Sequence, residues 1–251
     1  MGSIRRISRA IIRRAAKVVF VPPLIWYARN MYRASGGDKR PVFFDIHETA
    51  PALEVLTQNY TAIRAEAEAL LSGNLRLPSY HELDPNQQPI SGNDQKRWKV
   101  FLLYAMGEKP RANRELCPVT AALLDKVPNL YQAFFSILEA GKSVPAHNGP
   151  HLGIIRYHLG LIVPKDNPPC MRVKDQFHTW QEGSSVLFDD TWNHEVINKS
   201  SGDRVILLVD VLRPFPPLLH SINLLHSKGT LRMIYAKGVL RGAEKFSKPA
   251  A

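Results

Sequence analysis

At 251 residues the chain is long enough for one domain with a large hydrophobic core. Its formal net charge of +11 sits at the ends: residues 1–40 hold ten Lys/Arg against one acid, residues 213–251 hold seven against one, and the stretch between is mildly acidic. That distribution argues against a basic nucleic-acid groove across the domain and for attachment through the termini, while two isolated cysteines, Cys117 and Cys170, exclude a disulfide framework and suit a reducing cytoplasm.

The charge steps divide the chain into a basic N-terminal segment (1–40), a mildly acidic body (41–215) and a basic C-terminal tail (216–251). On a helical wheel Ile4, Ile7, Ile11, Ile12, Ala15, Val18 and Val19 gather on one side, opposite Arg5, Arg6, Arg9, Arg13, Arg14 and Lys17. An apolar stripe backed by a polybasic face suits the interface of an anionic membrane. Trp26 and Tyr27 follow, residues favoured at the lipid–water boundary. The apolar run around Val18–Ala28 is interrupted by Pro22 and Pro23; it lacks a clean cleavage site and is too short to span a bilayer. Peripheral attachment is expected, with packing on the central body or on a second copy of the chain as the alternative.

Phe43–Asp45 reads as a short extended piece, and Pro51–Leu71 as an amphipathic helix with Leu53, Leu56, Tyr60, Ile63, Ala67 and Leu70 at helical spacing. Residues 72–96, rich in Ser, Gly, Asn and Pro, predict a long loop at the substrate entrance. Trp98–Tyr104 predicts a strand, and Cys117–Lys126 a helix begun by Pro118; strand and turn resume from Asn129. From Gly153 to Val163 the pattern alternates, so Ile154, Arg156, His158 and Gly160 share one face, and Ile155, Tyr157, Leu159 and Leu161 the other. A second strand, Val205–Val211, follows Arg204 directly. Between them VLFDDTWNHEV predicts a strand, a short loop and a strand starting near His194. Asp189–Asp190 reads as a loop cap, Trp180 as packing, and His151, His178, His220 and His226 as ordinary histidines. The tail, with Leu218, Leu219, Ile222, Leu224, Leu225, Leu231, Ile234 and Tyr235 among Lys and Arg, is a second amphipathic stretch.

Two histidines, His147 and His194, each followed by a well-placed arginine, Arg156 and Arg204, describe a metal with an anionic co-substrate beside it. Imidazole suits iron, and non-haem Fe(II) oxygenases need a His pair with open positions; arginine's planar fork binds a carboxylate bidentately. HNGPHLGIIRYHLGLIVPKD from His147 and WQEGSSVLFDDTWNHEVINKSSGDRVILLVDVLRP from Trp180 resemble the aspartyl/asparaginyl β-hydroxylase family of 2-oxoglutarate dioxygenases, which includes the bacterial lipid A 2-hydroxylases. WKVFLLY from Trp98, CPVTAALLDKVPNL from Cys117 and FFSILEAGKSVPAHNGP from Phe134 are similar to the same family, so the resemblance covers roughly residues 55–215.

The resemblance implies a mainly β fold with flanking helices, a double-stranded β-helix (jelly-roll, cupin-like) barrel with the metal in its mouth. It implies that His147 and His194 bind Fe(II), that Arg204, assisted by Ser136, pairs with the distal carboxylate of 2-oxoglutarate, and that Arg156 and His158 line the other end of the co-substrate. The chain departs from the His-x-Asp/Glu pattern, because His147-Asn148-Gly149 puts glycine at the carboxylate position. Peptidyl aspartate hydroxylases of the family carry glycine there too, with water in the vacancy. The expected function is a dioxygenase using Fe(II), 2-oxoglutarate and dioxygen to hydroxylate an unactivated C–H. Its substrate would be an acyl chain of a membrane lipid, lipid A or an aminolipid, and the protein would lie at the cytoplasmic, inner face of a membrane. The alternatives are β-hydroxylation of an Asp or Asn side chain in a peptide, protein or amino acid, and a non-catalytic membrane-associated jelly-roll module. A homo-oligomer stays open; nucleic acid is not expected.

Overall fold

The structure, a computed structural model, describes residues 24–246; the basic stripe over residues 4–19 lies outside the described residues, as do the side chains of Leu231, Ile234 and Tyr235. Ten strands are present among them: β1 (Phe43–Phe44), β2 (Trp98–Ala105), β3 (Leu130–Leu138), β4 (Val144–His147), β5 (Ile154–Ile162), β6 (Cys170–Val173), β7 (Gln176–Thr179), β8 (Ser185–Phe188), β9 (His194–Ile197) and β10 (Arg204–Leu212). A six-stranded sheet runs β1-β8-β5-β10-β3-β2 and a four-stranded sheet β4-β9-β6-β7, every pairing antiparallel. From β3 to β10 the chain passes back and forth between the two sheets, which is the jelly-roll connectivity. The expected mainly β fold with flanking helices is therefore the observed one.

The alternation along β5 decides where each residue goes. Ile155, Tyr157, Leu159 and Leu161 join one hydrophobic core with Leu53, Leu56, Ile63, Ala67 and Leu70, the apolar stripe of the preceding helical region. The opposite faces of the strands enclose a second core between the sheets, containing Val100, Phe134, Leu138, Met171, Trp180, Phe188, Ile206 and Leu208. Arg156 and His158 project toward this second, inter-sheet side, because side chains alternate with a period of two.

The helical region is not the single predicted helix. It consists of a 3-10 turn Pro51–Leu53, a short helix Glu54–Gln58 and a longer helix Tyr60–Ser72, broken at Asn59 (φ −106°, ψ 23°). Asn59 Nδ2 donates to the Val55 carbonyl, so its side chain takes up a backbone acceptor at the break. The predicted loop over residues 72–96 also contains short helices, Tyr80–Leu83 and Gln88–Ser91, the first closed by a capping box between Ser79 and Glu82.

The first and last described segments dock on the barrel. Residues 24–34 form a helix whose Tyr27 and Met31 bury against Leu219 of the helix Pro217–Leu225. After a π-helical stretch, His226–Ala236, the helix Lys237–Phe246 places Val239 and Ala243 in the inter-sheet core. One face of each of these described segments thus packs on the body of the chain.

Candidate active site

His147 ends β4 and His194 begins β9, and the antiparallel register sets them directly opposite each other. Their ring centroids lie 4.2 Å apart. Each ring is anchored in the same way: Nδ1 of His147 lies 2.8 Å from the Pro145 carbonyl and Nδ1 of His194 2.9 Å from the Trp192 carbonyl. A carbonyl can only accept, so both Nδ1 atoms carry the proton and both Nε2 atoms are left as lone-pair donors. A carbonyl bound to the far ring nitrogen in this way orients a metal-binding imidazole. Burial depresses both pKa values; that of His194 falls to about 3, with His147 as the next cause. The pair therefore stays neutral, as metal ligation requires.

Among the described residues no third His, Cys, Asp or Glu completes a ready-made cluster with them. Gly149 N–H donates to the Asp190 carbonyl at 2.8 Å, and a Cβ added at Gly149 would collide with both carboxylate oxygens of Asp190. The Asp190 carboxylate thus occupies the space that a side chain at position 149 would need. It is fully buried, and neither oxygen has a hydrogen-bond partner. Its nearest cation is Arg156, Nη2 at 3.2 Å. Burial pushes its pKa up to about 6, with Arg156 opposing and Asp210 and Asp189 adding.

Arg156 itself is engaged. Its Nε and Nη2 bind Asp210 bidentately at 2.8 and 2.9 Å, across the register pair that joins β5 to β10. Burial opposes its charge, but Asp210 and Asp190 more than offset that and hold it protonated. The resemblance implies that it lines the co-substrate, and in the structure it has two carboxylate partners of the chain's own, Asp210 and Asp190. Asp189 serves elsewhere, accepting from Arg40 and Arg213 and from the Thr191 backbone, which is the loop-capping role read from the sequence.

Arg204 is in the opposite condition. It is 2% exposed, and no carboxylate among the described residues pairs with it. Nη2 donates to Ser136 Oγ at 3.1 Å, Nε has no partner, and the guanidinium lies 4.6 Å from the Trp180 ring centroid. Burial alone pushes its pKa down to about 9, so it is still a cation at neutral pH. Ser136 Oγ also accepts from Trp98 Nε1 at 2.9 Å. With both lone pairs used, its own proton remains to be donated. Nearby, His158 is buried with both ring nitrogens unpartnered, and Trp180 Nε1 is an orphan too. Burial drives the His158 pKa far down, with Arg156, Arg204 and His194 all contributing. A buried cation costs several kcal/mol unless paired, so Arg204, the Ser136 hydroxyl, His158 and the Trp180 indole make a cradle suited to a carboxylate-bearing ligand.

Residues 57–214 match the family described as Aspartyl/Asparaginyl beta-hydroxylase. The chain belongs to the aspartyl/asparaginyl beta-hydroxylase family. It is 36% identical over 212 residues to the ornithine lipid ester-linked acyl 2-hydroxylase of Rhizobium tropici, covering 84% of this chain and 74% of that one. It is 32% identical over 203 residues to the human aspartyl/asparaginyl beta-hydroxylase, covering 76% of this chain but only 25% of the relative. Both of these relatives are named as hydroxylases, and the resemblance read from the motifs is the family to which the chain belongs. Among solved structures, a cupin 2 conserved barrel domain protein from Salinispora arenicola matches 50% of this chain and 82% of its own, at 9% identity and a TM-score of 0.31.

Sequence reasoning missed three members of the site. Trp180 does pack in the inter-sheet core, as the sequence suggests, but it also roofs Arg204. Asp210 is signalled only by being a lone acid inside the apolar run VILLVDVL, which needs a cation across the sheet. Trp98 carries a family motif, but nothing local in the sequence signals its bond to Ser136.

Proposed function

We propose that this protein is an Fe(II)- and 2-oxoglutarate-dependent hydroxylase acting on the acyl chain of a membrane lipid, an aminolipid or lipid A, at the carbon next to the carbonyl. The observation that carries the reading is Arg204, a buried guanidinium without a carboxylate partner, flanked by a serine whose proton is free to donate. The orphaned polar atoms of His158, Trp180 and Arg204 fit a dicarboxylate in that cradle, and the paired Nε2 atoms of His147 and His194 fit iron. Bound iron and 2-oxoglutarate supply the oxidising chemistry: dioxygen is consumed, 2-oxoglutarate becomes succinate and CO2, and one oxygen atom enters a C–H bond.

The chain's own residues have separable tasks. His147 and His194 hold the metal as neutral imidazoles, fixed by the Pro145 and Trp192 carbonyls. Arg204 and Ser136 hold the distal carboxylate, and His158 orients the co-substrate from the β5 face. Arg156, clamped by Asp210, keeps Asp190 beside the glycine at position 149, where the missing carboxylate side chain would stand. The apolar inter-sheet walls exclude water from the cradle. The lipid assignment draws on the Rhizobium tropici relative, whose name specifies an ester-linked acyl chain, and on the basic amphipathic ends.

The test is succinate formation by the full chain with Fe(II), 2-oxoglutarate and extracted aminolipids, read together with lipid mass spectra. A gain of one oxygen on the acyl chain, lost in His147→Ala and His194→Ala, is the expected result. Gly149 and the name of the human relative favour a second reading, β-hydroxylation of an Asp or Asn side chain. A gain of oxygen confined to protein or peptide would establish that reading and sink the lipid one. Absence of succinate with every substrate class would leave the non-catalytic module.

A further inference from the structure

We infer that the helix over residues 24–34 and the helix Pro217–Leu225 together form one docking face for an anionic lipid bilayer, bolted to the loop that leaves His147. The inference deepens the lipid reading above and rests on it for its purpose. The helix 24–34 has already buried one stripe, Tyr27 and Met31, yet it exposes Leu24, Ile25 and Trp26, the last at 48%. On Pro217–Leu225, Leu219 and Asn223 point inward, while Leu218 and Leu225, seven residues apart and so on one helix face, are 68% and 74% exposed. Seven of the eleven large hydrophobic side chains exposed among the described residues belong to these two segments and the stretch that follows them. Scattered exposed apolar residues need no explanation, but a concentration does. The two helices meet along a groove of about 430 Å³ lined by Trp26, Asn30 and Arg33 on one side and Pro216, Leu218 and Leu219 on the other, so the patch is continuous.

Charge selects the occupant. Residues 1–37 contain eight Lys/Arg and no acid, and residues 214–243 contain four and no acid; Arg29 and Arg33 are exposed beside the apolar patch. A second copy docking through this face would bring cation against cation, whereas an anionic lipid surface neutralises them. None of the described helices is long and apolar enough to cross a membrane, and exposed apolar side chains beside arginines suit an interfacial contact.

The face is rigidly joined to the site. Buried Asn223 accepts from Tyr27 Oη at 3.0 Å, lies 3.1 Å from His151 Nε2 and donates to the Gly153 carbonyl at 2.8 Å. Leu152 packs into the same Tyr27–Met31–Leu219 cluster, and Arg213 Nε donates to its carbonyl at 2.9 Å. Residues 151–153 connect His147 to β5, so a bilayer bound at the terminal helices is presented beside the mouth.

Vesicles of phosphatidylcholine with and without phosphatidylglycerol provide the test, with the full chain and a Leu24→Ser/Trp26→Ser/Leu218→Ser variant. The wild type should co-sediment with the anionic vesicles and be released by salt, and brominated lipids should quench emission that Trp26→Phe removes. The triple variant should show at least a tenfold weaker partition yet form succinate normally on lipid dispersed in detergent. Equal partition of variant and wild type, or emission from Trp26 that brominated lipid leaves unquenched, would overturn the inference. So would a wild-type dimer that the triple substitution converts to monomer, because the occupant would then be a second copy. Loss of lipid hydroxylation in detergent as well, with vesicle binding intact, would count against the proposed function and leave the docking face standing.

Discussion

Arg204 and Gly149 show how single residues can carry opposite kinds of debt. A buried, unpaired guanidinium destabilises the ligand-free fold, and its burial makes it bind a carboxylate strongly. Arg204→Met should therefore raise the stability of the ligand-free protein, by on the order of 1 kcal/mol or more, while abolishing the thermal shift given by 2-oxoglutarate. For wild type that shift corresponds to about 2.7 kcal/mol at a hundredfold excess over Kd. Melting curves with and without 2-oxoglutarate read both effects, and a variant less stable than wild type without ligand would contradict the argument. At Gly149 the constraint is steric. Gly149→Ala drives a methyl group into the Asp190 carboxylate, and overpacking of this kind costs about 1–3 kcal/mol. Asp190→Ala should relieve it, so the double variant should be more stable than the sum of the two single losses predicts. Urea unfolding of the four proteins closes that cycle.

Elements were legible in the sequence where a local period carries them, and illegible where a distant partner does. The two faces of β5 could be read from alternation, and so could the buried stripe Leu53, Leu56, Ile63, Ala67 and Leu70, since each needs only its neighbours in the chain. The break at Asn59 could not, because it follows from how the flanking helices pack on the sheet. The His147–His194 pair is legible from residue types and motif resemblance; its physical basis is the β4–β9 register, set by strands whose paired histidines lie 47 residues apart. Asp210 shows the same limit, since only the β5–β10 register reveals that it faces Arg156. That ion pair is buried, so removing one partner strands the other. Asp210→Asn should cost about 3–5 kcal/mol, measured by chemical unfolding, and should loosen Asp190 by freeing Arg156. A change below 1 kcal/mol would mean that the pair is solvated and plays no part in holding the two strands or the site.

Considered as a whole, the molecule buries several histidines in neutral form, which makes its stability depend on pH. Burial lowers the pKa of His147 and His178, takes that of His151 to about 4 and that of His194 to about 3, and drives His158 far below its ordinary value. In the unfolded chain each titrates near 6.5. Above that pH neither state binds a proton at these sites and stability is full. As pH falls below about 6.5 the unfolded chain takes up protons that the folded one refuses, so stability declines toward the folded pKa values. Asp190 acts with the opposite sign: its folded pKa of about 6 lies above the carboxylate's ordinary value, so between about 6 and 4 it offsets roughly one histidine. The metal-free protein should therefore lose stability steadily from pH 6.5 to 5, by about 1.4 kcal/mol per pH unit for each uncompensated proton. His151→Gln, which keeps a polar group facing Asn223 but cannot take the proton, should flatten the slope by close to one proton while leaving stability at pH 7.5 nearly unchanged. Urea titrations at several pH values give the slope directly. An identical slope in wild type and His151→Gln would show that His151 is already protonated in the folded chain, and that the junction between the terminal helices and the loop from His147 is wetter than its packing indicates.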